Sequence, residues 1–449
     1  MNEHDLALEQ TIVKLVEAKK YTSLRDLLAT LNPADIAEAF GALSDLSLPL
    51  VFRLLPKALA AEAFVEMEAE QQETLIRGFS DLELKALVDE MYVDDAVNLV
   101  EEMPANVVSR ILSQADPDTR KTINQILQYP EDSAGSAMTT EFVELKPDMT
   151  VSEAIAHIRE VGIDKETINT CYVTDPDHHL RGVVSIRSLI LAKDNTPCRE
   201  LMIANVVSVG TLEDQEAMAQ MFSKYAFNAL PVVDKDDRMV GIVTMDDAMD
   251  ILEAETTEDM EKMAAMMPSD RPYLSTGVFS AWRQRIPWLL ALLAATALTV
   301  LVIRGFEHTL LAYTALIAYI PMLMDSGGNS GSQASVSVIR SLSLQEVEVE
   351  DLPKILWKEF RVAVLCGLTM SAATFGVLLL LRHELLLTVV ISLSLLVTVV
   401  AAKLVGTSLP LLAQKLGFDP ALMASPIITT VVDVLSLLIY LLLAQALLP

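Results

Sequence analysis

The sequence has little basic charge to set against its acids and few of the residues that covalent and soft-metal chemistry require. Its 449 residues carry 33 Lys+Arg against 61 Asp+Glu, a formal net charge of −28. Such a chain lacks the basic face that nucleic-acid phosphates need, which excludes nucleic acid as a partner. Cysteine is scarce: Cys171, Cys198 and Cys366 are odd in number, far apart and without CxxC spacing. They read as reduced thiols, not as a disulfide framework. The six His are scattered, which argues against a centre for soft metals, and His178-His179 falls in a predicted hairpin turn where exposure is expected. No P-loop, HExxH or GxSxG pattern occurs, so the chain is not read as an enzyme. No signal peptide precedes the acidic N-terminus, and that half is expected in the cytosol.

What the sequence has in abundance is apolar. Hydrophobic residues make up 52% of it and the mean hydropathy is +0.39, too apolar for an entirely soluble chain and too long for one domain. The two excesses are segregated. Only 10 of the 61 acidic and 8 of the 33 basic residues lie beyond Arg285, where the long apolar runs begin. The acidic half favours cations as its partner, or has simply a soluble acidic surface.

Residues 1–130 read as short amphipathic helices. Asn32-Pro33, Pro104 and Asp116-Pro117 are placed as helix starts, because Pro fits the first turn and a preceding Asn or Asp caps it. Apolar residues in runs such as Val51-Phe52-Leu54-Leu55 and Ala96-Val97-Leu99-Val100 then recur at helical spacing, as in a compact all-α stack of helical hairpins. The acidic pairs Asp89-Glu90, Asp94-Asp95 and Glu101-Glu102 are expected on solvated faces, with cation binding as the alternative.

An internal repeat of about sixty residues occupies 131–253. One copy contains VSEAIAHIRE, TCYVTD and RGVVSIRSLI; the other contains EDQEAMAQMF, ALPVVD and VGIVTMDDAMDIL. Each reads helix, strand, turn, strand, helix, with Asp-Pro-Asp and Asp-Lys-Asp-Asp as the turns. The α/β pair resembles tandem CBS modules, which implies a site for ATP or another adenine nucleotide. Thr244 and Asp247 match the hydroxyl and carboxylate of the ribose contact in the second copy. In the first copy Ser188 stands where an acid would be expected, so a purely structural module is the alternative.

The densest acidic run follows: Asp246, Asp247, Asp250, Glu253, Glu255, Glu258, Asp259 and Glu261, with Lys262 as its basic residue. Residues three and four apart share a helix face, so Asp246/Asp250 and Glu255/Glu258/Asp259 repel one another unless a cation lies between them. Divalent-ion binding is expected here. Met260, Met263 and Met266 continue the run as one apolar stripe towards Pro268, and 254–285 reads as a connecting helix.

The remainder, 286–449, offers five spans, near 286–303, 309–330, 362–381, 385–402 and 425–448. Arg271, Arg283 and Arg285 before the first, and Arg340, Lys354, Lys358 and Arg361 between the second and third, place those segments inside and the C-terminus outside. The second span passes through Pro321 into Gly327, Gly328, Asn329, Ser330, Gly331, Ser332 and Gln333. It is read as irregular backbone lining a water-filled path, with Ser335 and Ser337 continuing it, or else as a small-residue helix contact. Asp433 lies deep in the last span, where an ionisable group is a functional hypothesis by default. Asp419 is expected at the cytosolic mouth, and Asp325 reads as a mouth acid or a cap. Oxygen donors suit hard cations such as magnesium, which a pore can hold through its water shell.

The stretch PMLMDSGGNSGSQAS, the last helix with its single Asp433 and the helical-plus-CBS acidic half together resemble the MgtE family of magnesium channels, over essentially the whole chain. The resemblance implies a homodimer in the inner membrane, with Mg2+ crossing on the two-fold axis. Asp433, Gly327, Gly328, Asn329, Ser332, Ser425 and Thr429 would line the path. It further implies closure by cytosolic Mg2+ bound among Asp94, Asp95, Asp246, Asp247, Asp250, Glu255, Glu258, Asp259 and Asp419. A coupled divalent-cation carrier and a membrane-anchored sensor that moves nothing are the other readings.

Overall fold

A computed structural model describes residues 3–269, 273–274 and 276–448, so that Arg271 lies outside the described residues. Two compact units emerge, residues 1–252 and 253–449.

The first unit opens with α1 (Glu3–Glu17), α2 (Tyr21–Leu28), α3 (Pro33–Phe40), α4 (Leu48–Phe52) and α5 (Lys57–Val65). It continues with α6 (Ala69–Gly78), α7 (Asp81–Val88), α8 (Val93–Glu102), α9 (Ala105–Gln114) and α10 (Pro117–Ile126). The three expected starts hold, though Asn32 makes no side-chain cap: Pro33 opens α3, Pro104 precedes α9, and the Asp116 carboxylate accepts from Asp118 N–H at 3.1 Å ahead of α10. A capping box between Ser80 and Glu83 fixes α7, satisfying backbone donors that the first turn cannot. Phe40, Phe52, Phe64 and Phe79 are buried where these helices meet.

The repeat follows as two similar α/β modules. The first has β1 (Val143–Leu145), α11 (Val151–Val161), β2 (Thr170–Thr174), β3 (Leu180–Ser185) and α12 (Ile186–Leu191). A short α13 (Cys198–Leu201) leads to β4 (Val209–Gly210), α14 (Gln215–Tyr225), β5 (Ala229–Val233), β6 (Met239–Thr244) and α15 (Met245–Met263). In each sheet the expected hairpin, β2–β3 or β5–β6, is joined by a short parallel strand, β1 or β4. The sequence pattern missed those two strands because three and two residues are too few to show alternation. The turn His178 and His179 are less free than expected: each ring nitrogen faces a carboxylate, Glu144 at 3.1 Å and Asp175 at 3.2 Å.

The second unit takes in the end of α15 and then α16 (Val278–Gly305), α17 (Glu307–Ala312), α18 (Ile320–Ser343), α19 (Leu352–Leu380), α20 (Leu385–Lys415) and α21 (Ser425–Leu447). Among the described residues four helical stretches are long and apolar enough to cross a membrane: Val278–Gly305, Val349–Leu380, Leu385–Lys415 and Pro420–Leu447. The second expected span instead comprises α17, a 3-10 turn over Thr314–Tyr319, and α18, whose polar face lowers its hydropathy. Leu289, Leu290, Leu293, Leu298 and Leu301 of α16 are all more than half exposed, as on a surface that meets lipid and not water.

Three expectations fail here. The connecting helix is not separate, because α15 grows directly out of β6, and it ends at Met263, with Ala265 at φ 53°. Met260 is 65% exposed and Met266 lies beyond the helix, so the methionines form no single stripe. The glycine-rich stretch is not irregular either. It lies inside α18, whose helix is continuous from Ile320 to Ser343.

Candidate functional site

Three glycines in the middle of a helix would cost about 1 kcal/mol each relative to alanine, and close packing explains them. A Cβ on Gly327 would meet Ser436 Oγ at 2.6 Å and the Thr398 methyl at 2.9 Å; one on Gly331 would meet Ile428 at 2.8 Å. A Cβ on Gly406 of α20 would strike the Gly331 carbonyl. Gly327, Gly331 and Gly406 therefore set how closely α18, α20 and α21 approach, which is the small-residue contact of membrane helices. Ser335 also points inward: it is fully buried and donates to the Met423 carbonyl at 2.8 Å, while Ser337 returns its hydroxyl to Gln333 O. Ser335 is thereby committed to packing, whereas Ser337 stays exposed and its oxygen keeps acceptor capacity.

The other face of α18 is polar and open. Asp325 and Asn329 are exposed and Ser332 half-buried on successive turns. This row runs antiparallel to a second one on α21. Ser332 Oγ lies 3.0 Å from Ser425 Oγ and Gly328 abuts the Thr429 side chain, and one further turn along the two rows reaches Asp325 and Asp433. Each pairing is one turn from the next, since residues three or four apart share a helix face. Thr429 donates back to Ser425 O at 2.9 Å and Pro426 O at 3.0 Å, so its hydroxyl oxygen keeps acceptor capacity. The structure thus brings together Gly328, Asn329, Ser332, Ser425, Thr429 and Asp433, adds Asp325, and sends Gly327 to the packed side.

Asp433 is not the sole acid within these helices. Glu359 of α19 faces Lys403 of α20, with Lys403 Nζ 3.9 Å from Glu359 Oε2 and Lys403 only 5% exposed. The sequence offered no sign of the pairing, which joins residues on different helices.

At one end of this unit Asp419 caps the turn Pro420–Met423, its Oδ1 accepting from Ala421 N–H at 2.7 Å. Its Oδ2 is 2.8 Å from Lys262 Nζ, which also meets Glu258 Oε1 at 2.7 Å. Asp259 lies near enough to Asp419 that burial, and then the Asp419 charge, push its carboxyl up to about 6.

The second candidate site lies within the first unit. Asp94, expected on a solvated face, is 5% exposed. It starts α8 together with Asp95, and α8 brings both acids against the α/β modules. One carboxylate oxygen each from Asp94, Glu141 and Glu166 lie within 4.8 Å of one another. Val93 N–H donates to Glu141 Oε2 at 3.1 Å, and Glu166 N–H donates to the Glu141 carbonyl at 2.9 Å, which holds the two glutamates in place. Burial, then the Asp247 and Asp95 charges, raise Asp94 well above the carboxylate range. Burial and Asp247 push Asp95 up to about 7 and Glu166 up to about 8. Crowded, half-desolvated carboxylates resist ionisation unless a cation joins them. One Glu166 oxygen, Oε2, is buried without a hydrogen-bond partner among the described residues, and an orphan of that kind fits a hard, oxygen-seeking ion.

Thr244 gives its hydroxyl to Asp247 Oδ2, and Asp247 is raised by burial and by Asp246 and Asp250, which the Thr244 hydrogen bonds offset in part. The Asp247 charge acts on Asp94, Asp95 and Glu166 of this acidic group. In the first module Ser185 Oγ and Ser188 Oγ lie 2.8 Å apart at the matching place. Asp246 and Asp250 are exposed. Glu141 and Glu166 escaped sequence reasoning because they are single acids in short connections, and no local pattern could have pointed to them.

Comparison with known proteins follows these divisions. Family models described as "Divalent cation transporter", "MgtE intracellular N domain" and "CBS domain" match residues 320–443, 31–132, and 134–195 with 198–254. The chain is 38% identical to the magnesium transporter MgtE of Thermus thermophilus over 98% of its own length and 99% of the relative's. Identity to the Bacillus subtilis magnesium transporter MgtE is 32%, over 96% and 95%. A solved cytosolic domain of the Mg2+ channel MgtE in complex with ATP covers 54% of this chain and is itself covered completely, with 34% identity and TM-score 0.52. The soluble part of a magnesium transporter covers 56%, with 28% identity, 99% of its own chain matched and TM-score 0.52.

Proposed function

The chain belongs to the MgtE family of magnesium transporters, and on that premise we propose that it forms a homodimeric Mg2+ channel closed by cytosolic Mg2+. The observation that carries the conducting part is the antiparallel pairing of Asp325, Gly328 and Ser332 with Asp433, Thr429 and Ser425. It presents hydroxyl, amide and carboxylate oxygens on one open face, as a hydrated magnesium ion requires. A single carboxylate half-neutralises a divalent ion, and a two-fold axis would set a second Asp433 opposite the first. The packed face with Gly327, Gly331 and Gly406 holds that row in place.

Closure in this reading uses the buried acids of the first unit. Without a divalent ion, Asp94, Asp95, Glu166 and Asp247 repel; with one bound, the same carboxylates hold α8 to the modules. An ion that binds only the compact arrangement shifts the population towards it. Asp246, Asp250, Glu255, Glu258, Asp259 and Asp419 supply further negative charge to the same response. The solved relative in complex with ATP supports an adenine nucleotide as a second ligand of the module pair, with Thr244 and Asp247 as its candidate contacts. The N-terminal half would face the cytosol, and the C-terminus the outside.

Single-channel recording in a planar bilayer, with magnesium as the sole permeant cation, tests this. Unitary currents that cease when magnesium is raised on the cytosolic side are expected. Uptake without unitary current would replace the channel by a carrier, and currents indifferent to cytosolic magnesium would remove the gating part.

A further inference from the structure

We propose that Lys262 is a built-in counter-ion that fastens the end of α15 to the Asp419 turn, giving the channel a share of closure that needs no magnesium. The proposal rests on the gating reading above. The Lys262 ammonium sits between Glu258, 2.7 Å away, and Asp419, 2.8 Å away, with its side chain 21% exposed. Burial opposes its charge, but the hydrogen bonds to Asp419 and Glu258 outweigh that and keep its pKa above the ordinary lysine value.

Both Asp419 oxygens are engaged: one accepts from the backbone of the turn and the other meets Lys262, so a metal ion that took Asp419 would have to share these oxygens with the turn's cap and the lysine. The next residue, Met263, packs against Ile339, Ala421 and Ala424, and Ala424 immediately precedes α21, which carries Thr429 and Asp433. Tension or release at Lys262 therefore reaches the start of the helix that bears the ion-binding row. A lysine is a fixed monovalent tether, present at any ion concentration. Its single positive charge offsets part of the repulsion between Glu258 and Asp419, which would otherwise push α15 away from the turn.

The test compares wild type, K262Q and K262R in bilayers, first in chelator and then at saturating cytosolic magnesium. Removing one partly exposed two-carboxylate pair should raise the magnesium-free open probability of K262Q by roughly fivefold. K262R, which keeps the charge, should stay close to wild type, and all three should close at saturating magnesium. An unchanged magnesium-free open probability in K262Q would overturn the proposal, as would failure of K262Q to close at saturating magnesium, since the tether would then be the lock itself. Wild-type currents that ignore cytosolic magnesium would defeat the gating reading instead, so the two failures are distinct. Equal size-exclusion profiles of the three proteins establish that folding is not what differs.

Discussion

Ser332 Oγ of α18 and Ser425 Oγ of α21 lie 3.0 Å apart across 93 residues of sequence. The contact pins the polar face of the glycine-rich helix to the first turn of the helix that carries Asp433. Two turns along, Asp433→Asn keeps the shape and removes the charge. Magnesium uptake into liposomes should fall roughly tenfold or more, while Asp433→Glu should retain part of it and Ser332→Ala should reduce it only slightly. Undiminished uptake by a folded Asn variant would take Asp433 out of the conducting path.

Gly331 and Gly406 meet backbone to side where α18 crosses α20. Gly406→Val has no room without moving one helix, and overpacking costs about 1–3 kcal/mol. The detergent-solubilised protein should melt at a lower temperature and lose uptake with its fold. A variant melting with wild type would mean that the crossing is looser than described.

Glu359 and Lys403 test the buried pair. Glu359→Gln leaves the lysine charge uncompensated and should destabilise by about 3–5 kcal/mol, whereas the double change to Leu and Met should be close to neutral. Thermal stability of the single and double variants measures the difference; equal losses would show that the pair is not coupled.

The acids of the first unit make its stability depend on pH. Glu166 titrates near 8 and Asp95 near 7 in the compact form, above their ordinary range, so the compact form binds more protons than the unfolded chain. Stability in chelator is therefore complete at pH below the ordinary carboxylate range and is lost as pH rises towards about 8. Magnesium should abolish the loss by replacing the protons. The double change Asp94→Asn and Glu166→Gln should flatten both dependences. Melting curves of residues 1–252 across pH, with and without magnesium, check this; stability that rises with pH in chelator would contradict it.

Orientation is open to labelling. Glu346→Cys, between α18 and α19, should react only from the cytosolic side, and Glu384→Cys, ahead of α20, only from outside. The reverse pattern would invert the membrane arrangement.

The sequence by itself determined the division into a helical acidic part, a repeated α/β part and an apolar part, because caps, strand alternation and long apolar runs are local signals that each segment carries alone. It also singled out Asp433 as a candidate, since a carboxylate in an apolar run has a cost visible without coordinates. Tertiary structure decided the rest. Gly327 and Gly331 turned out to be packing residues because their neighbours, Ser436 and Ile428, arrive from a helix a hundred residues on. Asp94 was indistinguishable from a solvated acid until α8 carried it against Glu141 and Glu166. Lys262 looked like the lone base of an acidic run until Asp419 met it. Burial and charge proximity are properties of what the fold brings near a residue, and no window of sequence around that residue contains them.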